Sequence, residues 1–249
     1  MTNKNAKFKS KRKVEKKRSK QIGIMKKAKR KMWKRRKMNR LNLFKGKSNK
    51  QIIQYQFYSK SRSFSANFAN VTFKHVNFKG SIMTSCNFRN SAFIGAEFWG
   101  ANFRHSNFTG ARFKHCVFVG SILKDTNFMN ATFENCIFVN TNLENIKNFN
   151  PAPAGIEILV SYPDLDLSEN LITTVEKLRA NEHILKYKIL HLTTKKLNKL
   201  NLYLLLKKFD EETLIKGLEY TVINLKKDMP TISCLFNYLL KERDEYVIV

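Results

Sequence analysis

The middle of the chain repeats one large apolar residue at every fifth position. Residues 66–145 divide into sixteen consecutive five-residue units without an insertion, and the central residue is Phe in all but three of them. The first residue of each unit is Ala, Ser, Cys, Thr or Val, and the fifth is mostly Gly, Asn or His, which tolerate a left-handed backbone. A period of five matches neither the helical period nor strand alternation. The pattern therefore predicts a polygonal coil with a corner every five residues.

Four five-residue sides would close one turn of this coil. The central and first residues then face inward, whereas positions two, four and five face solvent. Residues twenty apart lie above one another at the strand spacing of about 4.8 Å. Sixteen units predict about four coils. The four acidic residues of the repeat, Glu97, Asp125, Glu134 and Glu144, occupy outward positions and are interpreted as solubilising groups.

The sixteen units resemble the pentapeptide-repeat family, whose pattern is a small residue, a polar residue, Leu or Phe, and two variable residues. The resemblance covers residues 66–145 and implies a right-handed quadrilateral β-helix with a non-catalytic binding role. Some members of this family bind type II topoisomerases and protect them by imitating duplex DNA. This function is an alternative here, although imitation needs an acidic rod and residues 66–145 hold more basic than acidic side chains.

The segments that flank the repeat differ in composition from it. Residues 51–65 are aromatic enough to cap the first coil, and residues 149–167 contain Pro151, Pro153 and Pro163 and are predicted to form a linker. Residues 168–249 are predicted to form a helical C-terminal domain, because Leu and Ile recur at helical spacing near 168–182, 193–208, 210–227 and 231–243.

Three residues in the C-terminal domain are candidate helix N-caps: Ser168, Asp210 and Thr231. The leucines of this region are expected to form an internal core, and the alternative is packing against a second copy of the chain. They include Leu197, Leu200, Leu204 and Leu205. The family resemblance also implies a possible homodimer through these helices.

The formal net charge of +28 is concentrated at the N-terminus. Residues 1–50 hold 23 Lys and Arg residues against the single acid Glu15, whereas residues 146–249 are almost neutral. A block of like charge this long is typical of a disordered or partly helical arm that binds a polyanion. We therefore expect residues 1–50 to be a basic arm.

Nucleic acid, DNA or RNA, is the predicted partner of this arm, bound nonspecifically through phosphates and through stacking of Trp33. An anionic membrane surface, an acidic protein, and a solubilising or targeting tail are the alternatives. The predicted nucleic-acid-binding residues are Lys11, Arg12, Lys13, Lys16, Lys17, Arg18, Lys29, Arg30, Lys31, Trp33, Lys34, Arg35, Arg36, Lys37 and Arg40.

Several surface features of the repeat are candidates for contact with a partner. Lys74, Arg112 and Lys114 fall on one face and are a possible secondary surface for a polyanion, the alternative being an ordinary solvated face. The histidines of the repeat are interpreted as corner residues, too far apart to share a metal ion. Trp99 is interpreted either as an exposed anchor for a partner or as a side chain covered by a terminal segment.

No sequence motif points to catalysis. The chain lacks a nucleophile elbow, a phosphate-binding glycine loop, HExxH, and Cys/His pairs at metal-ligand spacing, so we predict no enzyme, metal or cofactor. The cysteines Cys86, Cys116, Cys136 and Cys234 are predicted to be reduced. We predict a cytoplasmic, non-enzymatic scaffold that engages an unidentified protein partner while the arm binds nucleic acid; a peripheral membrane or host-directed effector is an alternative. A site hidden between the rod and the helical tail is a further alternative.

Overall fold

The computed structural model describes residues 51–193 and 196–247, which form a quadrilateral β-solenoid followed by a helical region. The basic arm predicted over residues 1–50, with all of its predicted binding residues, lies outside the described residues. The solenoid strands are β1 (Ile52–Gln54), β2 (Arg62–Phe64), β3 (Thr72–Lys74), β4 (Ile82–Thr84), β5 (Ala92–Ile94), β6 (Glu97–Trp99), β7 (Arg112–Lys114), β8 (Val117–Val119), β9 (Thr132–Glu134), β10 (Cys136–Val139) and β11 (Ile156–Leu159).

Two parallel sheets run along the solenoid. The first, here called the open sheet, has the strand order β1-β3-β5-β7-β9, and the second, here called the covered sheet, has the order β11-β10-β8-β6. Partners are twenty residues apart in both sheets: Phe73 lies opposite Phe93, and Phe98 opposite Phe118. The predicted four-sided coil of twenty residues is therefore confirmed.

The corners of the coil lie where the sequence places them. The backbone is left-handed at the fifth position of successive units, with φ of 61° at Asn70, 53° at His75, 62° at Gly80 and 56° at Ser85. Asn and Gly tolerate this conformation better than most residues, which explains why they are frequent at the fifth position.

Stacked phenylalanines fill the interior. The largest fully buried side chains of the described residues are all Phe, and rings twenty residues apart stack nearly parallel. Their centroids are 5.0 Å apart for Phe73 and Phe93 and 4.4 Å apart for Phe118 and Phe138. Rings on adjacent sides meet edge to face, as Phe73 does with Phe78. Burial of each ring contributes about 1.5–3 kcal/mol of transfer free energy, so this column is the main source of rod stability.

The solenoid has about five coils instead of the predicted four. Residues 51–65, predicted to be a cap, form further sides of the same solenoid: β1 pairs in register with β3, and β2 with β4. The sequence pattern obscured these sides because their central residues include Ile53 and Ser63 in place of Phe. At the other end, within the predicted linker, β11 pairs with β10 and extends the covered sheet.

The helical region, residues 168–247, contains six α-helices among the described residues. They are α1 (Glu169–Lys177), α2 (Glu182–Leu185), α3 (Lys199–Leu206), α4 (Glu211–Asn224), α5 (Ile232–Lys241) and α6 (Arg243–Val247). Two of the predicted N-caps are confirmed by hydrogen bonds: Ser168 Oγ accepts from the N–H of Leu171 at 3.1 Å, and Asp210 Oδ1 accepts from Thr213 at 2.9 Å. Thr231 holds the N-cap position of α5 without a side-chain capping bond.

The helix predicted over residues 193–208 begins later, at α3. A short hairpin of β12 (His191–Thr193) and β13 (Lys196–Leu197) occupies the first part of that segment. Asn198 ends the hairpin and starts the helix, because its side chain accepts a hydrogen bond from the N–H of Asn201 at 3.3 Å. Leu200 and Leu205 are buried in the core of the helical region, which confirms the expected internal packing.

Candidate interaction surfaces

The helical region packs against the outer side of the covered sheet. Val117, Val119, Ile137 and Val139 point outward from β8 and β10, yet they belong to the same buried cluster as the leucines of the helices. The prediction that positions two and four of each unit face solvent is therefore wrong on this sheet. The apolar character of these four outward residues was the sequence signal for a covered face.

Glu97 joins the solenoid to the first turn of α5. The side chain is 3% exposed, and its carboxylate accepts hydrogen bonds from the Ile232 N–H and, at 3.0 Å, from Asn77 Nδ2. Asn77 Nδ2 also donates to the Pro230 carbonyl at 2.8 Å. The interpretation of Glu97 as a solubilising surface residue is wrong. Its carboxylate instead takes the position of an anion at a helix N-terminus, where free N–H groups and the helix dipole favour negative charge.

Burial changes the proton affinity of this anchor. Desolvation raises the pKa of Glu97 to about 7, and the hydrogen bond from Ile232 and the positive charge of Lys79 limit the rise. The carboxyl group is therefore partly protonated near neutral pH. Ionising it in the folded state costs free energy, which weakens the contact between the solenoid and the helix.

His75 lies under α5 and not on the solvent-exposed surface. It occupies a corner, as predicted, but it is only 2% exposed, stacks on Tyr55 at 5.3 Å and approaches Asn237 Nδ2 through Nε2 at 3.4 Å. Desolvation, with smaller contributions from Lys74 and His115, lowers the pKa of His75 to about 4. The imidazole is therefore neutral at physiological pH.

Gly95 is the reason that α5 can approach this corner. A Cβ at Gly95 would lie 2.4 Å from Ser233 Oγ of α5 and 2.6 Å from His75 Nδ1. At Gly100, five residues later, a Cβ would meet nothing within 4 Å. Both glycines have positive φ, so the difference between them comes from the neighbours of Gly95, which are α5 and the imidazole of His75.

Trp99 is covered by a later segment of the chain. The indole is 9% exposed, Tyr162 packs against it with ring centroids 6.5 Å apart, and Lys79 Nζ lies 5.3 Å above the ring. Of the two interpretations of Trp99, the structure supports cover by a terminal segment.

The predicted secondary surface lies on the open sheet. Lys74 is half-buried on β3, whereas Arg112 and Lys114 are exposed on β7, two strands away. Lys114 Nζ forms an ion pair with Glu134 at 2.7 Å, which leaves Lys74 and Arg112 as the cationic groups without a carboxylate on this sheet among the described residues. Binding of a polyanion to these residues stays a prediction.

The four cysteines are free and buried. Burial raises the pKa of the thiols of Cys86 and Cys234 to about 11, so these two are protonated at neutral pH and poor nucleophiles. Within residues 51–193 and 196–247, no group of His, Cys, Asp and Glu side chains could hold a metal ion. No helix in the described part of the chain is long and apolar enough to cross a membrane.

Comparison with known proteins identifies the repeat. The family model described as pentapeptide repeats matches with eight copies, over residues 66–110, 86–125 and 106–145. A pentapeptide repeat protein from the Arabidopsis thaliana thylakoid lumen is 21% identical to this chain. The match covers 49% of this chain and 75% of the plant chain, with a TM-score of 0.32. The pentapeptide repeat protein Rfr23 from the cyanobacterium Cyanothece 51142 is 17% identical over 39% of this chain and 68% of its own, with a TM-score of 0.34. No curated protein matches this chain.

Proposed function

Since residues 66–145 are a pentapeptide-repeat domain, we propose that this protein is a non-enzymatic scaffold whose solenoid and helices engage a protein partner while the basic arm binds nucleic acid. Proteins with such repeats are generally structural or binding proteins. The observation that carries the proposal is the separation of charge: 23 basic residues stand against one acid in residues 1–50, and the rest of the chain is nearly balanced.

The composition of the arm suits contact with phosphates rather than recognition of bases. Lysine outnumbers arginine in residues 1–50, and lysine acts as a point charge, whereas guanine recognition uses the forked guanidinium of arginine. Binding through such contacts releases counterions and weakens steeply with salt. The proposal therefore predicts affinity for many sequences and a strong dependence on ionic strength.

The proposed protein-binding surface is the part of the solenoid that the helices leave uncovered. The outer residues of β1, β7 and β9 on the open sheet are exposed, and apolar side chains are exposed on other sides: Phe64 is 75% exposed and Met129 is 45% exposed. An apolar group among polar neighbours on a rigid rod is a suitable contact for a partner protein.

Salt-dependent binding to nucleic acid tests the role of the arm. The full chain is compared with a variant in which every Lys and Arg of residues 1–50 is Gln, using fluorescence anisotropy with a duplex DNA, a single-stranded DNA and an RNA of mixed sequence. We expect the parent to bind all three with a salt slope that reports several phosphate contacts, and the neutral-arm variant to lose most of the affinity and the slope.

A matched control replaces the secondary surface and keeps the arm. The triple variant Lys74→Gln, Arg112→Gln, Lys114→Gln is expected to lower the salt slope by no more than about one unit per phosphate contact removed. The proposal that the basic arm binds nucleic acid is wrong if the neutral-arm variant binds as tightly as the parent. Circular dichroism of both variants checks that the fold is retained.

A further inference from the structure

A cleft of about 560 Å³ lies between the solenoid and the helical region. Its floor is the corner and adjoining side of the last coils, through His115, Asn135 and Ile137, and its roof is formed by the end of α3 and the first turns of α5. The size is within the range of about 300–1,000 Å³ that is typical of small-molecule sites.

The walls of the cleft are mainly apolar. Ile137 and Ile156 contribute from the covered sheet, and Leu204, Leu205 and Phe236 contribute from α3 and α5. Leu204 and Phe236 are only partly buried, so their apolar surfaces are available to a ligand. Burial of an alkyl chain against these surfaces removes apolar area from water and is therefore favourable.

Positive charge and hydrogen-bond donors also line the cleft. Lys208 is exposed, lines the cleft, and makes no ion pair within residues 51–193 and 196–247. His115 lines the same space, and desolvation, then Lys114, and finally Lys208 lower its pKa, with Glu134 acting in the opposite direction. The amide groups of Asn135 and Asn237 also line the cleft.

Glu157 is the one carboxylate among the described residues that line the cleft, and it forms an ion pair. Glu157 accepts hydrogen bonds from Lys207 Nζ at 2.7 Å and from Tyr203 Oη at 2.9 Å. It therefore does not oppose an anion, whereas Lys208 is left to attract one. The lining thus combines cationic and hydrogen-bonding groups with apolar side chains.

From this arrangement we propose that the cleft binds a small amphipathic anion, with a carboxylate or similar head group at Lys208, His115 and Asn237 and an alkyl body against Leu204, Phe236 and Ile137. The residues that carry this proposal all lie outside residues 1–50, and the proposal does not rest on the scaffold function proposed above. An acidic head satisfies the unpaired ammonium group, and the alkyl body covers the partly exposed apolar side chains.

Isothermal titration calorimetry with decanoate tests the proposal, and 1-decanol serves as the uncharged probe of equal length. We expect one saturable decanoate site per chain and at least about tenfold weaker binding of 1-decanol, as for the loss of one charge-assisted hydrogen bond. The variant with a neutral arm is titrated alongside the parent and is expected to bind decanoate equally well, which separates this site from nonspecific attraction of anions to the arm.

Two pairs of variants locate the site. Lys208→Gln is expected to weaken decanoate about tenfold, while Lys124→Gln on the solenoid leaves it unchanged. Ala154→Trp, which places an indole in the cleft, is expected to abolish binding, and Ala152→Trp in the same loop but outside the lining is its control. Absence of a saturable site, equal binding of decanoate and 1-decanol, or full binding by Ala154→Trp would each overturn the proposal.

Discussion

The open sheet and the covered sheet are built on the same coils, but among the described residues only the covered sheet contributes outward side chains to the buried cluster of the helical region. Their inner residues are interchangeable: Phe93 and Phe98 are both fully buried, and each stacks on a ring twenty residues away. Their outer residues differ, since the open sheet carries Arg112 and Lys114 where the covered sheet carries Val117 and Val119. The inward-facing residues thus determine that a rod forms. The outward-facing residues determine which side of the rod the helices cover.

The largest expected effect tests whether the interior is equivalent behind the two sheets. Phe93→Ala on the open sheet and Phe98→Ala on the covered sheet should each lower the free energy of unfolding by about 3–5 kcal/mol, because each leaves a cavity in a close-packed column of rings. Urea denaturation measures both values. A loss below about 1 kcal/mol at either position would show that the aromatic column contributes little to stability.

A smaller effect separates the outer sides of the two sheets. Val139→Asp buries an unpaired carboxyl group under the helical region and should cost about 3 kcal/mol, or part the helices from the sheet. Arg112→Asp on the open sheet should change stability by no more than about 0.5 kcal/mol, because that position is solvated. Thermal unfolding of the two variants measures the contrast, and equal losses would contradict the assignment of an open and a covered sheet.

The smallest expected effect is the pH dependence of the contact with α5. Between pH 4.5 and 7 the folded state keeps a proton on Glu97 that the unfolded state has released, so this group lowers the free energy of unfolding as pH rises. Between pH 4 and 6.5 the unfolded state binds a proton that folded His75 excludes, so His75 has the opposite effect. In the parent the two contributions oppose each other where the ranges overlap.

Single variants separate these opposing contributions. From pH 4.5 to 6.5, Glu97→Gln should make stability rise more steeply with pH, and His75→Asn should make it fall, each by at most about 1.4 kcal/mol per pH unit relative to the parent. Urea denaturation at three pH values measures the slopes. Identical slopes in the parent and both variants would show that Glu97 and His75 do not cause the pH dependence of stability.

The sequence predicted the interior of the solenoid well because a strict period of five is compatible with one regular structure, a coil with a corner every five residues. Corners at Asn70 and His75, stacked Phe rings and a twenty-residue register all follow from that period. It predicted the number of coils less well because the first sides place Ile53 and Ser63 at central positions. A side with a weak central residue is recognised only through its pairing with the next coil.

The contact between solenoid and helices could not be predicted from the sequence pattern, for a different reason. Glu97 accepts a hydrogen bond from the backbone N–H of Ile232, and His75 approaches Asn237, so each contact joins residues far apart in the chain. An acid and a histidine at outward positions are ordinary surface residues until a second element covers them. Single-sequence periodicity reports which positions lie inside a coil but not which segment later packs outside it.

The twenty-residue register also restricts how the length of this protein can change. Insertion or deletion of a whole coil keeps every later residue on the same side, so Val117 and Ile137 would still meet the helices. Insertion of a single five-residue unit between Asn77 and Glu97 would rotate Glu97 and all that follows by a quarter turn relative to His75 and Asn77, which would then no longer lie on the side that α5 covers. Viable length variants of this rod are therefore expected to come in multiples of one full circuit.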